Sequence, residues 1–321
     1  SSPSLVEGPW AIISPDLTTN DSTKQDQSSS GGLSVDNSGA ENHTTIFTIA
    51  ESPLDENILW VGTDDGNVKV TKDGGENWSN VTENLVGIPA NTWVYHIEAS
   101  VHGKGTAYAV FEGHTSGDMN PYTLKTIDYG QTWSNIISED VHGFIRNIQE
   151  DYESENLLFL GTEFGLYVTI DGGENWSKFE NNMPATAVHF MELQKQTNDL
   201  VMGTHGRGVI IIDDISPLRE LSQEVLAQDV YFFKNKPFTM LEDSGFSGSF
   251  GTETQFVGQS KSSAARIVYY LKKRHTFGKM KMEVFDMEGN KITNLSPEKS
   301  KGINVITWGF NKNVPKMAQG K

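Results

Sequence analysis

An all-β fold built from repeated sheets is predicted for this chain of 321 residues by three features of its sequence. The octapeptide TIDGGENW at residues 169–176 has a near copy, TKDGGENW, at residues 71–78 and a looser one, TIDYGQTW, at residues 126–133. Each copy closes a longer unit of short apolar runs, and the aspartates recur at intervals of 55 and 43 residues. Repeats of roughly 40–50 residues that hold several short strands are typical of β-propeller blades.

Four such units begin near residues 44, 94, 144 and 188. In the third unit, the apolar pattern predicts four successive strands at Phe144–Ile148, Leu157–Gly161, Gly165–Thr169 and Trp176–Phe179, ordered from the inner to the outer strand. The fourth unit begins in the same way but loses the octapeptide, so three strands are predicted there.

Residues 9–17, PWAIISPDL, match the outer-strand segments of the repeats, such as NWSNVTENL. The chain is therefore expected to start with the last strand of a blade. Two arrangements stay open. Trp10–Ser14 closes the fourth unit in a four-bladed ring, or the chain is the C-terminal part of a larger propeller.

The octapeptide is predicted to form the turn between the third and outer strands of a blade. Thr169 and Asp171 offer side-chain oxygens to turn N–H groups, and Gly172 and Gly173 adopt positive φ at little cost. The tryptophan returns an apolar face to the blade. A catalytic residue is needed once, not three times, so a structural role is predicted for Asp73, Trp78, Asp128, Trp133, Asp171 and Trp176.

The pattern Ser/Thr-x-Asp-x-Gly-x-x-Trp resembles the Asp-box, or BNR, repeat of sialidases, sortilin-like propellers and xyloglucan-active enzymes. With PYTLKTIDYGQTW, NLLFLGTEFGLYVTIDGGENW and LVMGTHGRGVIIIDDISPLREL, the chain is similar to large exported bacterial BNR-repeat proteins, which are often labelled glycosyl-hydrolase-like. The resemblance covers roughly residues 9–228. It implies a propeller fold and an extracellular or cell-surface location, and it leaves the activity open.

The composition excludes several partners. Lys and Arg number 25 against 42 Asp and Glu, a formal charge of −17, which argues against nucleic acid and anionic membranes as ligands. Cysteine is absent, so disulfides and thiolate metal sites are excluded. No run of about 18 apolar residues occurs, so no transmembrane segment is predicted. No signal peptide is recognised and the first residue is not Met, which suggests a processed or truncated product.

Three regions are predicted: a propeller at 1–215, a linker helix at 216–228 and a second β domain at 229–321. Ser216-Pro217 starts the helix as cap and first-turn proline. EVFDMEGNKITNLS and KGINVITWGF resemble an Ig-like β-sandwich module, with Trp308 as its core aromatic and a turn at residues 287–290. Its strands are predicted at Asp229–Phe233, Ala265–Lys272, Met280–Asp286 and Ile303–Phe310.

The loops between second and third strands share one rim of a propeller with the links between blades. This rim is the predicted ligand-binding surface, and the octapeptide turns lie on the other side. Its candidate residues are Glu41, Asp64, Asp65, His114, Asp118, Glu163, His205 and Arg207.

The rim residues suit three uses: glycoside hydrolysis, cation binding and recognition of a ligand. A glycoside hydrolase would need two carboxylates, drawn from Asp64, Asp65, Asp118 and Glu163. Sialidase chemistry is disfavoured because Arg146 and Arg207 cannot form an arginine cluster. Ca²⁺ would suit the carboxylates, but no dense DxDxDG spacing occurs, so no cofactor is expected.

The favoured use is recognition without a reaction. The sequence predicts an exported scaffold that binds a protein or glycan through its rim, as a subunit of a larger outer-membrane or secretion-associated assembly. A carbohydrate-active hydrolase is the alternative.

Overall fold

The computed structural model describes residues 11–25, 43–180, 182–234 and 264–311. The chain divides into two compact units, Ser1–Arg219 and Glu220–Lys321. The first unit contains β1 Ile46–Ser52, β2 Asp55–Thr63, β3 Val68–Thr71, β4 Trp78–Asn80, β5 Trp93–Ala99, β6 Ala107–Gly113, β7 Asp118–Thr126, β8 Ser134–Asn135, β9 Ile145–Glu150, β10 Leu158–Thr162, β11 Gly165–Thr169, β12 Ser177–Lys178, β13 Val188–Gln194, β14 Asp199–Thr204 and β15 Gly208–Ile212.

These strands form antiparallel sheets in which neighbours in space are neighbours in sequence. The first three sheets have four strands each, β1–β4, β5–β8 and β9–β12, and the fourth has three, β13–β15, among the described residues. The predicted all-β fold of propeller blades is confirmed. The four strands predicted in the third unit are confirmed to within about two residues at their ends.

The core lies between consecutive sheets, and the central strands β6 and β10 are buried on both faces. Along β6, Ala109 and Phe111 join a cluster with Trp60 of the first sheet, whereas Tyr108 and Val110 join a cluster with residues of the third sheet. Side chains alternate between the two faces of a strand, so one strand supplies two cores. This two-sided burial explains why β6 and β10 consist of nearly unbroken apolar residues.

The octapeptide forms the turn between the third and outer strands. In the first copy, the Thr71 hydroxyl donates to Asp73 Oδ1 at 2.8 Å and accepts from Gly75 N–H at 3.0 Å. Asp73 also accepts from the Asn77 backbone at 2.9 Å and its side-chain amide at 2.8 Å. The other two copies repeat these four bonds through Thr126, Asp128, Gly130 and Thr132, and through Thr169, Asp171, Gly173 and Asn175.

Each turn also contacts the outer segment of the preceding sheet. A Cβ on Gly173 would lie 2.9 Å from Ile136 Cβ, so only glycine fits without displacement, and the Trp176 indole donates to the Ile136 carbonyl at 2.6 Å. In the first turn, the Trp78 indole donates to the Ile13 carbonyl at 3.0 Å. Residues 11–17 therefore occupy, beside the first sheet, the place of a preceding outer strand.

The four-bladed ring closed by Trp10–Ser14 is not seen in the described residues. Residues 11–14 form no strand, and β15 pairs only with β14. Trp10 itself lies outside the described residues.

After the third strand of the fourth sheet, the chain departs from the repeat at the position where the octapeptide turn lies in the other units. Ile215 N–H donates to the Asn198 carbonyl at 2.8 Å, as Gly172 N–H donates to Asn156 in the third unit. Helices α1 Ser216–Glu220 and α2 Gln223–Ala227 follow. The prediction of a single helix at residues 216–228 is therefore wrong. Ser222 is extended and caps the second helix through Val225 N–H, which interrupts the first.

The second unit contains β16 Val230–Phe232, β17 Ala265–Leu271, β18 Met282–Phe285, β19 Lys291–Leu295 and β20 Gly302–Trp308. Its described strands form two antiparallel sheets, β16-β17-β20 and β18-β19. The predicted turn at residues 287–290 is present, with Asp286 accepting Asn290 N–H at 2.7 Å. Tyr269, Leu271 and Met282 are buried together. Trp308, the predicted core aromatic, is only partly buried, and its indole donates to the Asn311 carbonyl.

Replacing Gly161 by alanine is expected to destabilise the first unit by about 1–3 kcal/mol, because the new Cβ overpacks a well-filled interface. That Cβ would lie 2.6 Å from the backbone oxygen of Val188 on the next sheet. Gly203→Ala is the matched control at the equivalent strand position, where the nearest atom is 3.8 Å away. Urea denaturation checks both variants. Equal stability of the two would contradict the close approach of the sheets.

The acid sensitivity of the first turn follows from Asp73. The Asn77 side chain, the Asn77 N–H and the Thr71 hydroxyl lower the pKa of Asp73 from 3.8 to about 2. Because the folded pKa lies below the unfolded one, the stabilisation is complete above pH 3.8 and lost as the pH falls toward 2. The stability difference between wild type and Asp73→Asn should shrink over this window in denaturant titrations.

Glu76→Gln is the control, since it removes an exposed carboxylate from the same turn. A difference between wild type and Asp73→Asn that stays constant from pH 5 to about pH 2 would refute the role of the ionised Asp73.

Candidate functional site

Each of the four inner strands carries a β-bulge at the same position. In the second sheet, Val94 pairs with Phe111 and His96 with Val110, so Tyr95 faces no partner residue. The same shift in pairing skips Phe47, Arg146 and His189 in the other three sheets. A bulge re-aims the side chain of its extra residue. We name Phe47, Tyr95, Arg146 and His189 the bulge row.

The bulge row escapes the burial of its neighbours. Val94, Ile145 and Val188, which precede the bulged residues, are 0% exposed. Phe47 is 43% exposed, and the other three members of the row are partly exposed. In the second and third sheets the bulged residue is thus accessible beside a buried neighbour, whereas Ile46 on β1 and Phe190 on β13 are exposed as well.

Three members of the row are in contact. The rings of Phe47 and Tyr95 have centroids 5.2 Å apart. The Arg146 guanidinium lies 5.1 Å from the Tyr95 ring and 5.2 Å from that of Phe144, and its Nη1 donates to the Tyr95 hydroxyl at 3.2 Å. Trp93 extends the aromatic part, 5.4 Å from Phe47. Two rings and one hydrogen bond thus orient the guanidinium.

Histidines surround the other end of the row. His189 stacks on His205 at 5.3 Å, and His114 stacks on Phe144 at 4.8 Å. Burial lowers the pKa of His189, and the positive charges of Arg146, His205 and His114 lower it further. The row therefore ends in a cluster of cationic and titratable groups.

A buried carboxylate orients one of these histidines. Glu112 is 1% exposed and accepts the backbone N–H of His114 at 2.8 Å, and it also contacts His114 Nδ1. Its other oxygen, Oε2, is buried without a hydrogen-bond partner. The pair fixes the imidazole against Phe144.

Two predicted rim carboxylates are not open to solvent. Asp64 and Asp65 are 5% and 2% exposed. Asp64 accepts the N–H groups of Thr44 and Thr45, and Asp65 accepts the N–H and hydroxyl of Thr19 at 2.6 and 2.7 Å. Burial raises the pKa of Asp64 against these hydrogen bonds. Both side chains tie down loop segments.

The other predicted residues are dispersed. Burial opposes ionisation of Asp118, but hydrogen bonds from Asn120 and Tyr122 outweigh it and lower the pKa of this carboxyl. Glu163 is partly buried, with its N–H bonded to the Phe144 carbonyl. The structure brings His114 and His205 to the bulge row; Arg207 is exposed two residues beyond His205. Glu41 lies outside the described residues.

The sequence prediction placed the candidate residues in loops, so it did not include the bulge row, which lies on strands. The aligned inner strands read IFT, VYH, IRN and VHF, with an aliphatic residue followed by Phe, Tyr, Arg or His. That second column, in which no two units agree although the first column is always aliphatic, is the signal that could have identified the site.

Neither a metal cluster nor a membrane span is found in the described ranges. No three His, Cys, Asp or Glu of these residues are grouped to hold a metal ion. None of the helices described has the length and apolarity needed to cross a bilayer.

Comparisons with known proteins give structural likenesses only. No family model and no curated protein matches the chain. YCF48 from Cyanidioschyzon merolae is similar at 19% identity over 53% of each chain, with a TM-score of 0.39. The GH74 xyloglucanase from Xanthomonas campestris is 13% identical over 80% of this chain and 39% of its own, with a TM-score of 0.44.

A third likeness is the extracellular domain of a hybrid two-component system from B. thetaiotaomicron, which is 16% identical over 59% of this chain and 23% of its own, with a TM-score of 0.41. The chain thus spans about half the length of YCF48 and less of the other two. At these TM-scores the likenesses carry no argument about function.

The proximity of Arg146 and His189 has a titration signature. Arg146→Gln removes a positive charge beside the imidazole and should raise the pKa of His189 toward its ordinary value. An NMR titration of the His189 ring protons checks this. Arg207→Gln, which removes an equal charge outside the row, should leave that pKa unchanged. An unaltered pKa in Arg146→Gln would contradict the arrangement.

Proposed function

We propose that the first unit is a non-catalytic exported scaffold that binds a protein or glycan ligand through the bulge row and the loops beside it. The observation that carries the proposal is the alignment of the four bulges. Four sheets each present an accessible bulged side chain, and those of Phe47, Tyr95 and Arg146 are in contact. Aromatic rings and an arginine are the residues that dominate recognition sites.

The hydrolase alternative has less support. Two of its four candidate carboxylates, Asp64 and Asp65, are buried and hydrogen-bonded to loop residues. A glycosidase needs a pair of carboxyl groups on either side of the bond to be cleaved. Asp118 and Glu163 are the pair left to test.

The wider assignments belong to the same proposal. The repeated turns support membership of the Asp-box class, with the resemblance to sortilin-like propellers. The two small sheets of the second unit support an Ig-like module in residues 229–321, joined through residues 216–228 to a propeller in 1–215. An extracellular or cell-surface location, in a larger outer-membrane or secretion-associated assembly, follows from the resemblance to exported BNR proteins.

A screen of glycan arrays, peptide arrays and chromogenic glycosides with the full chain tests the proposed function. Binding without turnover is expected, and Tyr95→Ala should weaken it by about tenfold or more, since Tyr95 sits in the middle of the row. Tyr129→Ala is the matched control, because Tyr129 lies in an octapeptide turn. Glycoside turnover that Asp118→Asn or Glu163→Gln abolishes would overturn the proposal.

A further inference from the structure

Among the described residues, the Arg146 guanidinium has aromatic neighbours and no carboxylate partner. Its only hydrogen-bond acceptor among the described residues is the Tyr95 hydroxyl, and its Nε is buried without a partner. None of the described carboxylates lies within ion-pair distance of it. By comparison, the Arg219 guanidinium has several partners. It donates to both carboxylate oxygens of Asp151 and to the amide oxygen of Asn198, and it forms an ion pair with Glu153.

An unpaired arginine is unexpected in this chain. Acidic residues outnumber basic ones by 42 to 25, so carboxylates that could pair with Arg146 are plentiful in the sequence. The neighbouring groups add positive charge or can acquire it, since His189, His205 and His114 surround the site. A planar guanidinium held between rings with free N–H donors is suited to bidentate binding of a carboxylate.

Aromatic side chains continue the row on the side of the first sheet. Phe47 is 43% exposed. Trp93 lies against Phe47. An exposed phenyl ring beside a guanidinium suits an apolar side chain next to a carboxylate, as in a peptide.

We infer that the ligand of the bulge row is an extended acidic peptide segment, with a carboxylate on Arg146 and an adjacent apolar side chain on Phe47. This inference rests on the proposed function and specifies its ligand class. Charge complementarity selects the carboxylate, and the exposed phenyl ring of Phe47 selects an apolar side chain beside it, a combination that a peptide supplies.

An array of ten-residue peptides of random sequence, probed with the full chain, tests the inference. Binders should be enriched in Asp or Glu next to Phe, Leu or Ile. Replacing the carboxylate of a binder by the amide should weaken binding to the wild type by about tenfold or more. The same replacement should have little effect on binding to Arg146→Gln, because the paired group is already absent.

The controls separate this inference from the proposed function. Arg207→Gln should keep the wild-type preference for the carboxylate, and thermal unfolding should establish that both variants fold. Selective binding of polygalacturonate with no acidic peptide bound, or peptide binding that Tyr95→Ala abolishes and Arg146→Gln does not, would overturn the inference and leave the scaffold function standing. Absence of any binding on peptide and glycan arrays would overturn both.

Discussion

Burial of both faces of the two middle sheets, β5–β8 and β9–β12, is the constraint on which the rest of the first unit depends. Along β6, Tyr108 packs toward one neighbouring sheet and Ala109 toward the other. Regular positions of the central strands β6 and β10 are thereby committed to packing. A bulge breaks the two-residue alternation and turns one side chain out of the stack. Recognition can then occur on the strands themselves without loss of the core.

The spacing between sheets depends on glycine as much as on apolar volume. Gly161 and Gly173 lie against Val188 and Ile136 of adjacent sheets or segments, where a methyl group would not fit. The Trp176 indole adds a hydrogen bond to the same outer segment. These contacts fix how the inner strands line up, and so they bring the rings of Phe47 and Tyr95 to within 5.2 Å.

The sequence was sufficient for the blades and turns because local residues determine them. The hydrogen bonds of Asp171 stay within its own turn, so the octapeptide alone predicts them. The site depends on partners that are distant in sequence. Asp65 is covered by Thr19, 46 residues earlier, and the bulge at Arg146 is defined by its pairing with β10. A single strand read alone reveals neither. Ser222 likewise caps a second helix within the segment where Ser216-Pro217 predicted one.

On the second, third and fourth inner strands, a bulged side chain is accessible directly after a fully buried aliphatic one, and the proposed site depends on this contrast. Since the chain has no cysteine, single replacements give clean reporters of exposure. Thiol modification of the folded protein should be rapid for Phe47→Cys, Tyr95→Cys, Arg146→Cys and His189→Cys. It should be slow for Val94→Cys, Ile145→Cys and Val188→Cys, which occupy the adjacent buried positions. Equal protection of both sets in variants that unfold at wild-type temperatures would contradict the claim.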